Sequence, residues 1–106
     1  MGKKRKSDDR IDTSGIEFEW YPPKADSNLK NHKVSFEEAC TVFGDKQLLG
    51  LPDTEHSEEE MRFISIGRSE NGRILFVNFT MRGDRIRIIS ARLAERWERS
   101  EYEIAD

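Results

Sequence analysis

Lys24, Asn28 and His32 fall four residues apart, so a helix would carry them as a polar row drifting slowly around its axis. Farther along, Arg68, Arg82, Arg85, Arg87 and Arg92 sit in or beside turns and apolar runs. A histidine that exchanges a proton near neutral pH, with guanidinium groups to hold a phosphate, is nearly sufficient for cutting RNA without a metal. The ribose 2′-hydroxyl must lose a proton, the phosphorane needs its charge stabilised, and the leaving 5′-oxygen must regain a proton. Arginines aimed at the phosphate supply the electrostatic part, usually the larger one.

Each of these residues has a structural competitor. His32, ending a short helix, can complement the helix dipole. Arg68 and Arg82 can be hairpin-edge charges that discourage strand association. Arg92 falls in what reads as a helix's first turn, where a cation is unfavourable, and this speaks for a functional reason. Asp84 can partner a neighbouring arginine. His56 lies in an acidic loop, and solvent exposure is expected there rather than catalysis. Trp97 falls on the apolar side of its helix and is expected in the core.

The elements that must position these groups are legible from periodicity. Ile16 to Trp20 alternates as a short strand with Ile16, Phe18 and Trp20 inward. Pro22-Pro23 stops it and opens a helix from about Pro23 to His32. Ser35 and Glu38 fit a reciprocal capping box for a second helix, whose Phe36, Ala39, Cys40 and Phe43 form an apolar stripe ending at Gly44. Leu48–Leu51, Phe63–Arg68, Ile74–Thr80 and Arg85–Ser90 read as strands, with turns at Glu70-Asn71-Gly72 and around Gly83. In the last strand, alternation sets Arg85 and Arg87 on one face and Ile86, Ile88 and Ser90 on the other. Ser90 then caps a helix from Ala91 to about Tyr102, with Ala94 and Trp97 inward and Glu95 paired to Arg99. The order β-α-α-β-β-β-β-α predicts an α+β fold: a mainly antiparallel, meandering sheet with its helices on one face.

Composition bounds the alternatives. The chain has 106 residues, of which 37% are charged and 35% hydrophobic, enough for one modest core. The net charge of −3 hides a sorted distribution: residues 12–61 balance to −8, whereas residues 62–99 balance to +5 with arginine as their only basic residue. Arginine in that block favours forked contacts with phosphate or carboxylate, although a solvated strand face would use it equally. A single cysteine, Cys40, excludes an internal disulfide, and no residue grouping suggests a metal site or cofactor. No Walker loop, dinucleotide fingerprint, HExxH or G-x-S-x-G element occurs. Neither a membrane-length apolar run nor a signal-peptide pattern is present, so a soluble, cytoplasmic protein is expected. Residues 1–15, with the Lys3-Lys4-Arg5-Lys6 cluster, read as a flexible charged tail ahead of a single domain over 16–106.

Several strings together resemble the BrnT family of bacterial toxins. Phe18-Glu19-Trp20, Pro23-Lys24-Ala25, Asn28, His32 and Val34-Ser35-Phe36-Glu37-Glu38-Ala39 match its opening. His56-Ser57-Glu58, Arg62-Phe63, Ile66-Gly67-Arg68-Ser69, Arg82-Gly83, Ile86-Arg87-Ile88-Ile89-Ser90-Ala91-Arg92, Glu98 and Tyr102 continue it in order over about 16–103. The resemblance implies a RelE-like fold and an endoribonuclease toxin of a type II toxin–antitoxin pair that inhibits translation. Its partner would be a BrnA-like antitoxin that masks the site, binds DNA to repress the shared operon and joins the toxin in a higher-order complex. Carried over by motif, the catalytic residues are Lys24, His32, Arg68 and Arg82; Arg87 and Arg92 lie in the most specific string, with structural roles open for both. Together with Arg85, which stands just outside that string, they are the expected RNA-binding residues, and holding the antitoxin is the alternative for Arg85 and Arg87. The family's His-Gly-Val junction is His32-Lys33-Val34 here, and its basic residue before that histidine is Asn31. A reading from another class also fits the residues: a non-catalytic module whose arginine face binds RNA or an acidic protein.

Overall fold

The computed structural model describes residues 13–105; the Lys3–Lys6 cluster and most of the expected tail lie outside them. The elements run β1 (Glu17–Glu19), α1 (Pro22–His32), α2 (Phe36–Thr41), a 3-10 turn (Val42–Gly44), β2 (Leu49–Pro52), β3 (Arg62–Arg68), β4 (Ile74–Arg82), β5 (Arg85–Leu93) and α3 (Arg96–Ala105). This is the β-α-α-β-β-β-β-α order expected from periodicity. The sheet order is β1-β5-β4-β3-β2, an antiparallel meander from β2 to β5. β1 adds parallel to the outer edge of β5, with Phe18 opposite Ile86.

The β4–β5 pairing contains a register shift between Asn78 and Phe79: Phe79 faces Ile88, whereas the preceding Asn78 faces Ser90, and Ile89 is the extra residue. The shift flips the side-chain parity of β5. Ile86, Ile88 and Ala91 point to the core face, and Arg85, Arg87, Ser90 and Arg92 point to the opposite one. Strict alternation had put Ser90 on the core face, and the bulge substitutes Ala91, which is 1% exposed. β5 also runs on to Leu93, paired with Leu75, so Ser90 caps no helix and Arg92 belongs to a strand. The continuous ladder to β4 outweighs the capping signal at Ser90. α3 begins at Arg96, and the Glu98 carboxylate accepts the Glu95 amide at 2.8 Å.

The two faces are covered differently. α1 and α2 pack on one of them, over Val34, Phe36, Ala39, Val42, Leu75 and Val77. A smaller cluster of Ile66, Ala94 and Tyr102, with Ile64, Ile74 and Phe76 against it, seats α3 on the other. Helices therefore flank both faces, correcting the one-sided arrangement. Trp97 is 61% exposed rather than inward, because Tyr102 and Glu98 take the buried stripe of α3. Arg99 donates to the Ala94 carbonyl at 3.1 Å instead of pairing with Glu95.

Local choices on the helical side explain several sequence signals. Tyr21 precedes α1 in extended conformation, with proline in the first turn. Buried Asn28 ties that helix to the sheet: its amide donates to the Val34 and Ala91 carbonyls at 2.9 and 2.8 Å, and its oxygen accepts the Ala91 amide at 3.1 Å. Half of the expected capping box forms, since the Ser35 hydroxyl accepts the Glu38 amide at 2.9 Å. The Glu38 carboxylate turns inward instead, to the Ser69 hydroxyl at 2.6 Å and to the Arg73 guanidinium. α2 ends in the 3-10 turn rather than on a left-handed Gly44. Gly72 and Gly83 do take positive φ, 83° and 62°, in the two hairpin turns.

Lys33 closes α1 in the left-handed conformation, φ 59°, and its amide donates to the Leu29 carbonyl at 2.9 Å. A side chain there costs about 1–2 kcal/mol relative to glycine. Lys33→Gly is expected to raise stability by about 1 kcal/mol in chemical denaturation, the strain relieved exceeding the added unfolded-state entropy; an unchanged or lower midpoint would contradict this account of the turn.

Candidate functional site

The residues put forward by the sequence separate into three places. Arg82, Arg85 and Arg87 come from the β4–β5 hairpin and project from the face opposite α1 and α2. Lys24 and His32 are exposed on α1, across the sheet, and neither side chain has a hydrogen bond or ion pair among the described residues. Asn28, between them, is a structural clamp and not part of an open polar row. Arg68 ends β3 opposite Ile74, eight residues of β4 away from Arg82, roughly 26 Å at the rise of an extended strand. Its guanidinium donates to the Gly72 carbonyl at 3.3 Å and lies 5.9 Å from the centre of the Tyr102 ring. The Tyr102 hydroxyl bonds Asp45 at 2.6 Å, and burial followed by that carboxylate raises its pKa to about 12. Arg68 and Arg82 therefore do not share a site.

All three hairpin arginines already face carboxylates. Arg87 donates to Glu19 at 2.8 Å, Arg85 to Glu17 at 3.2 Å, and Arg82 lies 3.4 Å from Glu60. The Arg87 hydrogen bond holds the Glu19 carboxyl below its usual range against burial. The Arg85–Glu17 and Arg82–Glu60 pairs are solvent-exposed and the Arg87–Glu19 pair is half-buried; exposed pairs of this kind are weak, so an incoming polyanion can displace them. Arg92 is committed more firmly. It forms a two-pronged pair with Glu98 at 2.8 and 2.9 Å and lies 4.0 Å over the Phe76 ring. Glu98 is 1% exposed, so removing Arg92 would leave a buried charge.

What the fold assembles at the Arg82 end is a cluster that residue-by-residue reading did not single out. The loop from Asp53 to Met61 folds back on the start of β3: the Asp53 amide donates to the Arg62 carbonyl at 2.8 Å, and the Ser57 hydroxyl bonds the Asp53 carbonyl at 2.6 Å. Thr80 of β4 holds the Met61 carbonyl at 2.6 Å. Asp53, 6% exposed, accepts from the Asn78 amide at 2.9 Å and meets His56 Nδ1 at 2.9 Å. Ser90 extends the chain of bonds across β5, donating to the Asn78 oxygen at 3.4 Å. The His56 side chain is 61% exposed, as expected of its loop, yet it is oriented by a buried partner. It borders a pocket of about 550 Å³ shared with Arg62 and Arg82 and rimmed by Glu55, Glu58, Glu59 and Glu60. Arg62 forms no ion pair among the described residues, and its Nε is buried without a hydrogen-bond partner.

Chemically, this pocket holds an oriented imidazole and two guanidinium groups, one paired weakly and one unpaired. The sequence signals were present as Asp53-x-x-His56 and Arg62, but the acidic surroundings made His56 look merely solvated. Asn78 supplies the missing information from 25 residues away, through pairing that only the folded sheet reveals.

Comparison with known proteins adds the family. Residues 20–98 match a family described as the ribonuclease toxin BrnT of type II toxin–antitoxin systems. No curated protein matches significantly. Among solved structures, the Brucella abortus ribonuclease toxin BrnT superposes with a TM-score of 0.62 at 23% identity, covering 76% of this chain and 99% of that one. At that identity the superposition speaks for the fold.

Burial raises the Glu98 carboxyl, but the Arg92 fork and the Glu95 amide together outweigh it and leave its pKa below the ordinary 4.5. The unfolded chain therefore takes up this proton first, so the pair's stabilisation is complete above about pH 4.5 and is lost as acid reaches the folded value. Glu98→Gln is expected to lower the melting temperature near neutral pH and to flatten its decline below about pH 5; an acid limb as steep as that of the unaltered protein would contradict the assignment.

Proposed function

The chain belongs to the BrnT family of type II ribonuclease toxins, and from that membership we propose a metal-independent endoribonuclease that attacks phosphorus with the ribose 2′-hydroxyl and so arrests translation. Membership makes RNA its substrate class and an antitoxin its partner. The observation that carries the reading is that Arg82 lines the pocket holding Arg62 and an oriented imidazole, while Arg85 and Arg87 continue the same hairpin beside it. Arg82 and Arg62 would contact the scissile phosphate, and Arg85 and Arg87 the neighbouring backbone, exchanging carboxylate partners for phosphates. Proton transfer by a side chain and charge stabilisation by guanidinium groups cover the needs of the reaction.

Lys24, His32 and Arg68, put forward with Arg82 by the family resemblance, stand apart from this cluster. In this reading they serve flanking parts of a long RNA or of the antitoxin. Arg92 is a structural residue that anchors α3, and its removal would act through stability. The partner is a BrnA-like antitoxin that covers the hairpin arginines, represses the operon through its own DNA-binding domain and builds a larger complex with the toxin in the cytoplasm.

Purified protein should cut RNA in the presence of EDTA, and a 2′-deoxy substitution at the cleaved nucleotide should block cutting there. Arg82→Ala is expected to lower the rate by about 10²-fold or more with its melting temperature held. Glu60→Gln frees Arg82 from its counter-charge and is expected to tighten RNA binding by roughly fivefold, about 1 kcal/mol. Cleavage that needs an added divalent ion, or that survives the 2′-deoxy substitution, would overturn the mechanism. RNA bound with a steep salt dependence but never cut would favour the non-catalytic module.

A further inference from the structure

We propose that His56 is the general base of this cleavage, taking the 2′-proton on Nε2, and that buried Asp53, itself held by Asn78, is its positioning residue. The inference rests on the proposed ribonuclease reading and assigns the proton-transfer group within it. A carboxylate only accepts, so the Asp53 contact at 2.9 Å requires the proton of a neutral His56 to sit on Nδ1. The lone pair is then on Nε2, the ring nitrogen not bound to Asp53, and 61% of the side chain is open to solvent. Asp53 cannot drift: its backbone is fastened to β3 and its carboxylate to β4 through Asn78. This gives the imidazole a fixed tautomer and direction, the two properties a base oriented by a second residue needs. His32 has no such orienting partner among the described residues.

The pocket also contains what must stand beside a base. Arg62 has a buried, unpartnered Nε, and Arg82 holds only the exposed Glu60. In the step, Nε2 takes the 2′-proton as the O2′–P bond forms, and Arg62 and Arg82 carry the charge of the phosphorane. The P–O5′ bond then breaks, the leaving oxygen takes a proton from water, and the hydroxide left takes the proton from Nε2, restoring the neutral imidazole. The products are a 2′,3′-cyclic phosphate and a 5′-hydroxyl end, with nothing oxidised or reduced. The charged groups facing His56 are Asp53, the glutamates of the loop, Arg62 from β3 and Arg82 from β4. The acidic rim opposes RNA entry and keeps the free ring in a negative surround, so the hairpin arginines must draw the substrate in.

Initial rates of the full-length protein on an oligoribonucleotide test this, alongside binding of the same strand made 2′-deoxy at the cleaved position. His56→Ala, at an exposed site, is expected to lower kcat by about 10²- to 10³-fold while deoxy-strand binding stays within about threefold. The unaltered protein should lose rate on acidification as Nε2 becomes protonated, and His56→Gln should lack that limb. Asp53→Asn keeps the shape and leaves an oxygen for Asn78 and Nδ1 but removes the carboxylate charge beside the imidazole, so it should lower kcat and displace the acid limb with KM held. Cleavage by His56→Ala within about threefold of normal, still dependent on the 2′-hydroxyl, would overturn this assignment and leave the ribonuclease reading standing. An unaltered protein that cuts no RNA would instead remove the reading on which the assignment rests.

Discussion

The register shift between Asn78 and Phe79 is the constraint on which the remaining architecture depends. Without it, β5 would turn Ser90 and Arg92 toward α1 and α2, and the core would have to accommodate a guanidinium group. One extra residue lets a single strand give Ile86, Ile88 and Ala91 to the core and Arg85, Arg87 and Arg92 to the other face. The same shift brings Asn78 opposite Ser90 on that face, where Asn78 fixes Asp53. Packing and chemistry are thus set by one irregularity in the most distinctive string of the sequence.

Charge pairing then sorts the arginines by purpose. Where the acid partner is buried, as for Arg73 with Glu38 and Arg92 with Glu98, the pair fastens elements together and its loss would strand a charge. Where the partner is exposed, as for Arg85 with Glu17 and Arg82 with Glu60, the contact is weak and exchangeable. Arg62 stands outside both groups. A chain with a net charge of −3 in this way keeps exposed guanidinium groups paired through contacts that a stronger anion can displace.

Sequence pattern was sufficient for the element order, because β3 to β5 are apolar and β-branched runs bounded by turn residues, and α1 and α2 carry proline and serine at their starts. It misplaced the start of α3, since Ser90-Ala91-Arg92 has helix-compatible chemistry and only the pairing of β5 to Leu75 keeps it extended. Trp97 failed for a related reason: moving the helix start rotates its buried stripe to Glu98 and Tyr102. The family resemblance came from ordered strings across the chain and named the family that residues 20–98 match. The candidate site was less legible. Side chains gathered by the sheet, His56 with Asn78 and Arg62 with Arg82, lie far apart in sequence, and an acidic loop conceals the one oriented histidine.

The central claim is that the end of the sheet bearing Arg82, rather than the Arg68 end or the surface of α1, receives the reacting phosphate. A crystal structure of the protein with an oligoribonucleotide made 2′-deoxy at the cleaved position tests this most directly. The account predicts the scissile phosphate bound by Arg62 and Arg82, with the modified 2′-carbon turned toward His56 Nε2. A phosphate seated beside Arg68 and Tyr102, or against Lys24 and His32, would contradict it.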